Sequence, residues 1–135
     1  QGRLFEVELK TIKSPASLEG APYIVEKGMD LSGIKKRTVI FSGNASEAVA
    51  GFPSNVNVAA ALAISGIGVR KTRVKIIADP AVERNIHEIR AKGDFGELSF
   101  RTENLPSQKN PKTSLLAALS AVSTLKKITN PIKIG

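Results

Sequence analysis

Apolar and polar positions alternate from Leu4 to Ile12, with Phe5, Val7 and Leu9 on one face and Glu6, Glu8 and Lys10 on the other. That period of two predicts a half-buried strand. Ser14 to Lys36 loses the alternation, is rich in Pro, Gly and charge, and reads as a long loop with little regular structure. A short strand is expected over Arg37–Ser42. Asn44-Ala45-Ser46-Glu47 then has the form of a capping box and opens a short helix that stops at Gly51 and Pro53. Val56 to Ser65 is apolar on nearly every side and predicts a buried helix. Thr72–Ala78 reads as a strand closed by Asp79-Pro80. Asn85–Ala91 and Glu97–Thr102 read as a hairpin around a glycine-led turn at Gly93-Asp94. The last helix runs from Pro111 to Lys127, with Leu115, Leu116, Leu119 and Val122 on one stripe. Strands and helices thus come in blocks. The expectation is an α+β fold with a mixed, largely antiparallel sheet covered on one face by helices. Residues 1–110 form the sheet domain, and residues 111–135 form a C-terminal helix and tail.

Composition narrows the chemistry. With no cysteine among 135 residues, there is neither a disulfide framework nor a thiolate metal site, and no metal is expected. The longest apolar run, Val56 to Val69, is interrupted by Ser65 and two glycines and falls short of the roughly 20 residues of a membrane span. No membrane association is expected. The chain opens on Gln1-Gly2-Arg3-Leu4 without an initiator Met or a signal peptide's apolar stretch, and is expected to be part of something longer.

The formal charge of +8 raises the question of nucleic acid. The densest basic groups, Lys35-Lys36-Arg37, Arg70-Lys71-Thr72-Arg73 and Lys126-Lys127, are dispersed. The aromatics Phe5, Tyr23, Phe41, Phe52, Phe95 and Phe100 do not interleave with them. A stacking platform for single strands needs that interleaving, so solvated charge or a small anionic ligand is favoured over nucleic acid.

His87, the single histidine, sits in the strand segment Asn85-Ile86-His87-Glu88-Ile89. Histidine is the side chain best suited to moving protons near neutral pH, although a lone histidine in a strand is often structural. Glu88 should point to the opposite face and leave His87 without a carboxylate partner. Asn55 and Asn57, in Phe52-Pro53-Ser54-Asn55-Val56-Asn57, either cap the following helix or reach a ligand. Lys112, Thr113 and Ser114 stand at the start of the last helix, where capping and carboxylate binding are both open. Gly66-Ile67-Gly68 follows a helix, and Lys71 occupies the third glycine position, so it is no dinucleotide motif.

Taken in order, several short motifs resemble the C-terminal domain of the L-aspartate dehydrogenase family. They are Phe41-Ser42-Gly43-Asn44-Ala45, Phe52-Pro53-Ser54-Asn55-Val56-Asn57, Ala78-Asp79-Pro80, Asn85-Ile86-His87-Glu88-Ile89, Gly93-Asp94-Phe95-Gly96, Glu103-Asn104-Leu105-Pro106 and Asn110-Pro111-Lys112-Thr113-Ser114. Thr11-Ile12-Lys13-Ser14-Pro15 is similar to a further family segment, with Ser14 where a proline is usual; Ser54 likewise stands where a basic residue is common.

The resemblance implies a cytoplasmic, NAD- or NADP-dependent oxidation of L-aspartate to iminoaspartate. Iminoaspartate then hydrolyses to oxaloacetate and ammonia or supplies quinolinate for NAD synthesis. It implies His87 as the catalytic histidine, Asn57 and then Asn55 as cofactor contacts, and Lys112, Thr113, Ser114 and Lys13 as donors to the substrate carboxylates. It also implies an N-terminal Rossmann domain that holds most of the cofactor, a homodimer, and a fold like that of dihydrodipicolinate reductase. A reductase of that kind, or a basic non-enzymatic module binding nucleic acid or an acidic partner, are the alternatives.

Overall fold

The computed structural model describes residues 4–55 and 71–104, together with the helical positions 123 and 127. Among the described residues of 4–104, the elements are, in order, β1 (Leu4–Lys13), α1 (Pro15–Leu18), α2 (Pro22–Lys27), a 3₁₀ turn (Leu31–Gly33), β2 (Thr38–Asn44), α3 (Ala45–Gly51), β3 (Thr72–Ala78), β4 (Asn85–Gly93) and β5 (Gly96–Asn104). The helix expected over Val56–Ser65 lies outside the described residues, as does nearly all of that over Pro111–Lys127. So does the boundary expected at residue 110.

The strands form one sheet in the order β2-β3-β1-β4-β5. Only β1 and β3 run parallel; the other three pairings are antiparallel, as the α+β reading requires. Because β1 is central, its alternation sorts the whole molecule. Val7 and Leu9 lie on one face with Val74, Ile76, Ile89 and Ala91, all buried. Leu18, Ala21, Ile24, Leu31, Ala45, Ala48 and Phe52 from the helical segments close over that face. On the other face Ile12, Ile77 and Ile86 make a small apolar cluster at one end. Much of the rest of that face is charged, with pairs across strands such as Glu8–Arg90 at 3.7 Å and Lys75–Glu8 at 3.8 Å.

Two expectations need correction. Residues 14–36 are not an irregular loop: two short helices, each with Pro at its first turn, and a 3₁₀ turn carry the buried Leu18, Ile24 and Leu31 to the sheet. Proline fixes φ for helix entry and glycine ends the turn, so the residues that read as loop punctuation delimit one-turn helices. Phe5 does not join Val7 and Leu9 in the core. The β1–β4 pairing shifts register between Leu4 and Glu6, and Phe5 at this irregularity is 60% exposed.

Elsewhere the local signals match to within a residue. Asn44 and Glu47 form a reciprocal capping box: the Glu47 amide donates to Asn44 Oδ1 at 2.8 Å, and the Asn44 amide to Glu47 Oε1 at 3.0 Å. The β4–β5 hairpin turns one residue later than expected, through Asp94-Phe95, with Gly93 opposite Gly96. Gly96 takes φ +114°, a conformation that side-chain-bearing residues rarely adopt. At Gly51 a Cβ would lie 2.9 Å from Tyr23 Cβ, so glycine lets α3 close on α2. The rings of Tyr23, Phe41 and Phe52 then pack with centroids 5.3–5.6 Å apart.

Candidate functional site

The helix-covered face changes character toward the end of β1. Where Val7 and Leu9 are apolar, the next position on that face is Thr11, fully buried, and directly across the antiparallel ladder stands His87. Thr11 Oγ1 lies 3.1 Å from His87 Nδ1. His87 is 4% exposed. Burial, and then the charge of Lys13, lower its pKa from 6.5 to about 4, so the ring is neutral at physiological pH. Lys13 continues the same face two residues beyond Thr11 and is half-buried; burial lowers its pKa as well. Thr102 pairs with His87 from β5 on the other side.

Glu88 lies on the opposite face, as alternation predicts, where Arg101 Nε is 3.4 Å from its carboxylate. It is no acid/base partner for His87.

The end of β1 is anchored from β3. The Asp79 amide donates to the Lys13 carbonyl at 2.9 Å. The Asp79 carboxylate accepts from the Ala81 amide at 2.9 Å and from Arg37 Nε at 2.9 Å. These two contacts, Ala81 first, hold its pKa below the ordinary carboxylate value. One end of the sheet thus gathers a neutral base, a hydroxyl on its ring and a half-buried cation. Such a set can exchange a proton with a ligand while holding an anionic group beside it.

The other candidates distribute as follows. Asn55 lies in the turn after α3, where its amide donates to the Phe52 carbonyl at 2.9 Å. It lines a cleft of about 170 Å³ with Ser17, Glu19, Pro22, Pro53 and Ser54, and this lining includes none of Thr11, Lys13 and His87. Asn57, Lys112, Thr113 and Ser114 lie outside the described residues. A larger cleft of about 380 Å³ opens on the charged face, among Glu8, Lys10, Glu88, Arg90 and Arg101, away from His87. Among the described residues no three metal-binding side chains cluster, and no helix is long and apolar enough to cross a membrane.

His87 and Lys13 are legible as candidates in the sequence, whereas Thr11, Arg37 and Asp79 are not. Thr11 is 76 residues from His87, and no local signal announces a partner at that distance.

The family described as "Aspartate dehydrogenase, C-terminal" matches residues 1–128. An L-aspartate dehydrogenase of Methanosarcina acetivorans is 63% identical over 129 residues, which is 96% of this chain and 48% of that protein. One from Methanococcoides burtonii is 61% identical over 132 residues, 98% of this chain and 49% of that protein. The crystal structure of aspartate dehydrogenase from Thermotoga maritima superposes with a TM-score of 0.62 at 33% identity, covering 98% of this chain and 48% of that one. The chain spans about half the length of the curated relatives it matches. With the match running through both strands that carry Thr11 and His87, the chain belongs to the aspartate dehydrogenase C-terminal family.

Proposed function

We propose that this chain is the substrate-side part of an NAD(P)-dependent L-aspartate dehydrogenase, with His87 as its acid/base residue. The observation that carries the reading is the neutral, buried His87 on one sheet face with the half-buried Lys13. The names of the relatives supply the substrate.

The chemistry follows from those residues. L-Aspartate brings two carboxylates and an α-amine. Lys13 holds one carboxylate, with Lys112, Thr113 and Ser114 of the Asn110–Ser114 motif as further donors. His87, uncharged at neutral pH, takes the amine proton and later serves the water that adds to the imine. Side chains do not accept hydride, so the donor set fits a reaction completed by a nicotinamide ring, held here by Asn57 and secondarily by Asn55. Acceptance of hydride from Cα is the chemistry that such a cofactor would supply when bound. Its pyrophosphate belongs to an N-terminal Rossmann domain of the full-length protein.

The same reading places the protein in the cytoplasm and makes it a homodimer through the open sheet face. Val39 on that face, paired with the buried Ile77, is 53% exposed and supports this reading.

The test is reduced-cofactor absorbance with the full-length protein, L-aspartate and NAD or NADP, comparing wild type with His87→Ala. Turnover of aspartate that falls roughly 10²–10⁴-fold in the variant is the expected result. A folded wild type without aspartate turnover overturns the reading and directs the assay to other substrates of reductases with this architecture.

A further inference from the structure

We propose that Thr11 is the positioning residue of His87: its hydroxyl holds Nδ1, so that Nε2 is the nitrogen that exchanges a proton with the substrate. The inference rests on the acid/base role proposed for His87 and adds how the ring is aimed.

Three observations converge. First, the contact is built into the ladder. Thr11 and His87 are paired residues of adjacent antiparallel strands, so their side chains leave the same face side by side, and Oγ1 comes within 3.1 Å of Nδ1. Second, the hydroxyl is committed. Thr11 is fully buried, and its side chain has no other hydrogen-bond partner among the described residues. Leaving a buried hydroxyl without a partner is costly, so this contact is kept rather than exchanged for water. Third, the partner is uncharged. Histidines oriented by a carboxylate gain stabilisation of the protonated ring. Here the groups facing His87 along the sheet are the hydroxyls of Thr11 and Thr102 and the cation of Lys13, and Glu88 points away.

A threonine hydroxyl also both donates and accepts. It accepts from Nδ1–H while Nε2 takes or releases a proton, and it donates to Nδ1 when the neutral ring carries its hydrogen on Nε2. The ring is therefore held in the protonated form and in either neutral tautomer, whereas a backbone carbonyl would hold only the forms with hydrogen on Nδ1 and a backbone amide only the form without it.

The experiment uses the full-length protein with Thr11→Val, which removes the hydroxyl and keeps the shape, and Thr11→Ser, which restores the hydroxyl. Two readouts are taken: kcat and KM for L-aspartate, and the imidazole ¹⁵N resonances of His87. The expected result for Thr11→Val is a kcat lower by roughly 10–100-fold with little change in KM, as for a misaimed catalytic group. The Nδ1 resonance is displaced in that variant, and both signals return toward wild type in Thr11→Ser.

An unchanged kcat and an unchanged Nδ1 resonance in Thr11→Val overturn the proposal, as does a folded Thr11→Ser that fails to recover. Should Thr11→Val not fold, the wild type decides: a nuclear Overhauser contact between the Thr11 side chain and the His87 ring supports the proposal, and its absence ends it. A wild type without aspartate turnover but with the Nδ1 signature responding to Val and Ser overturns the substrate assignment alone, and the orientation of His87 by Thr11 stands.

Discussion

The main-chain amide of Asp79 donates to the carbonyl of Lys13 at 2.9 Å, tying the turn after β3 to the last residue of β1. Lys13 thereby leaves the sheet at a fixed point, although nothing in its own neighbourhood of the sequence would hold it there. The Asp79 carboxylate makes the turn rigid through Ala81 and Arg37.

Replacing Asp79 by Ala is expected to destabilise the fold by about 1–3 kcal/mol, the range for losing hydrogen bonds to a charged group. Urea denaturation measures it. Because the folded-state pKa of Asp79 lies below 3.8, its contribution is complete above that value and fades as pH falls through the lower folded value. Asp79→Asn should therefore lose stability at neutral pH and differ less from wild type in acid. An equal difference at both pH values would contradict this.

His87 sets a second pH dependence with a different window. Its folded pKa is about 4 against 6.5 unfolded, so between these values the unfolded chain binds the extra proton. Stability is full above pH 6.5 and declines as pH falls toward 4, by up to on the order of 3 kcal/mol. Denaturation midpoints recorded from pH 7 to pH 4 should fall more steeply for wild type than for His87→Gln. Parallel curves would show that the ring is not buried in its neutral form.

Leu18 tests the packed character of residues 14–36. It is fully buried in α1, and Leu18→Ala should cost about 2–5 kcal/mol through lost burial and the cavity left behind. A loop merely draped over the surface would lose less than about 0.5 kcal/mol, as surface substitutions do. Thermal or chemical denaturation distinguishes the two.

Asn44→Ala removes one half of the α3 capping box and should destabilise by about 0.5–2 kcal/mol. Glu47→Ala should produce part of the same loss, and the double variant less than the sum, since the two side chains form one reciprocal unit. Additive losses would argue against the shared cap.

The sequence by itself determined the elements whose signal is local. The alternation of β1 from Val7 onward, the strand Thr72–Ala78, the β4–β5 hairpin and the Asn44–Glu47 box each lie within one short window, where side-chain period and turn chemistry decide the outcome. His87 was legible as a candidate because it is the single histidine, and its separation from Glu88 because neighbouring strand residues face opposite ways. The short helices around Pro15 and Pro22 were not legible, because a one-turn helix is shorter than any period that would reveal it. The exposure of Phe5 was hidden for a different reason: a register shift belongs to the pairing of two strands and not to either strand.

Only the tertiary structure decided the rest. It set β1 between β3 and β4, parallel to one and antiparallel to the other. That placement brought Thr11 to His87 and Asp79 to Lys13, because contacts between residues so far apart along the chain exist only once the sheet order and register are set.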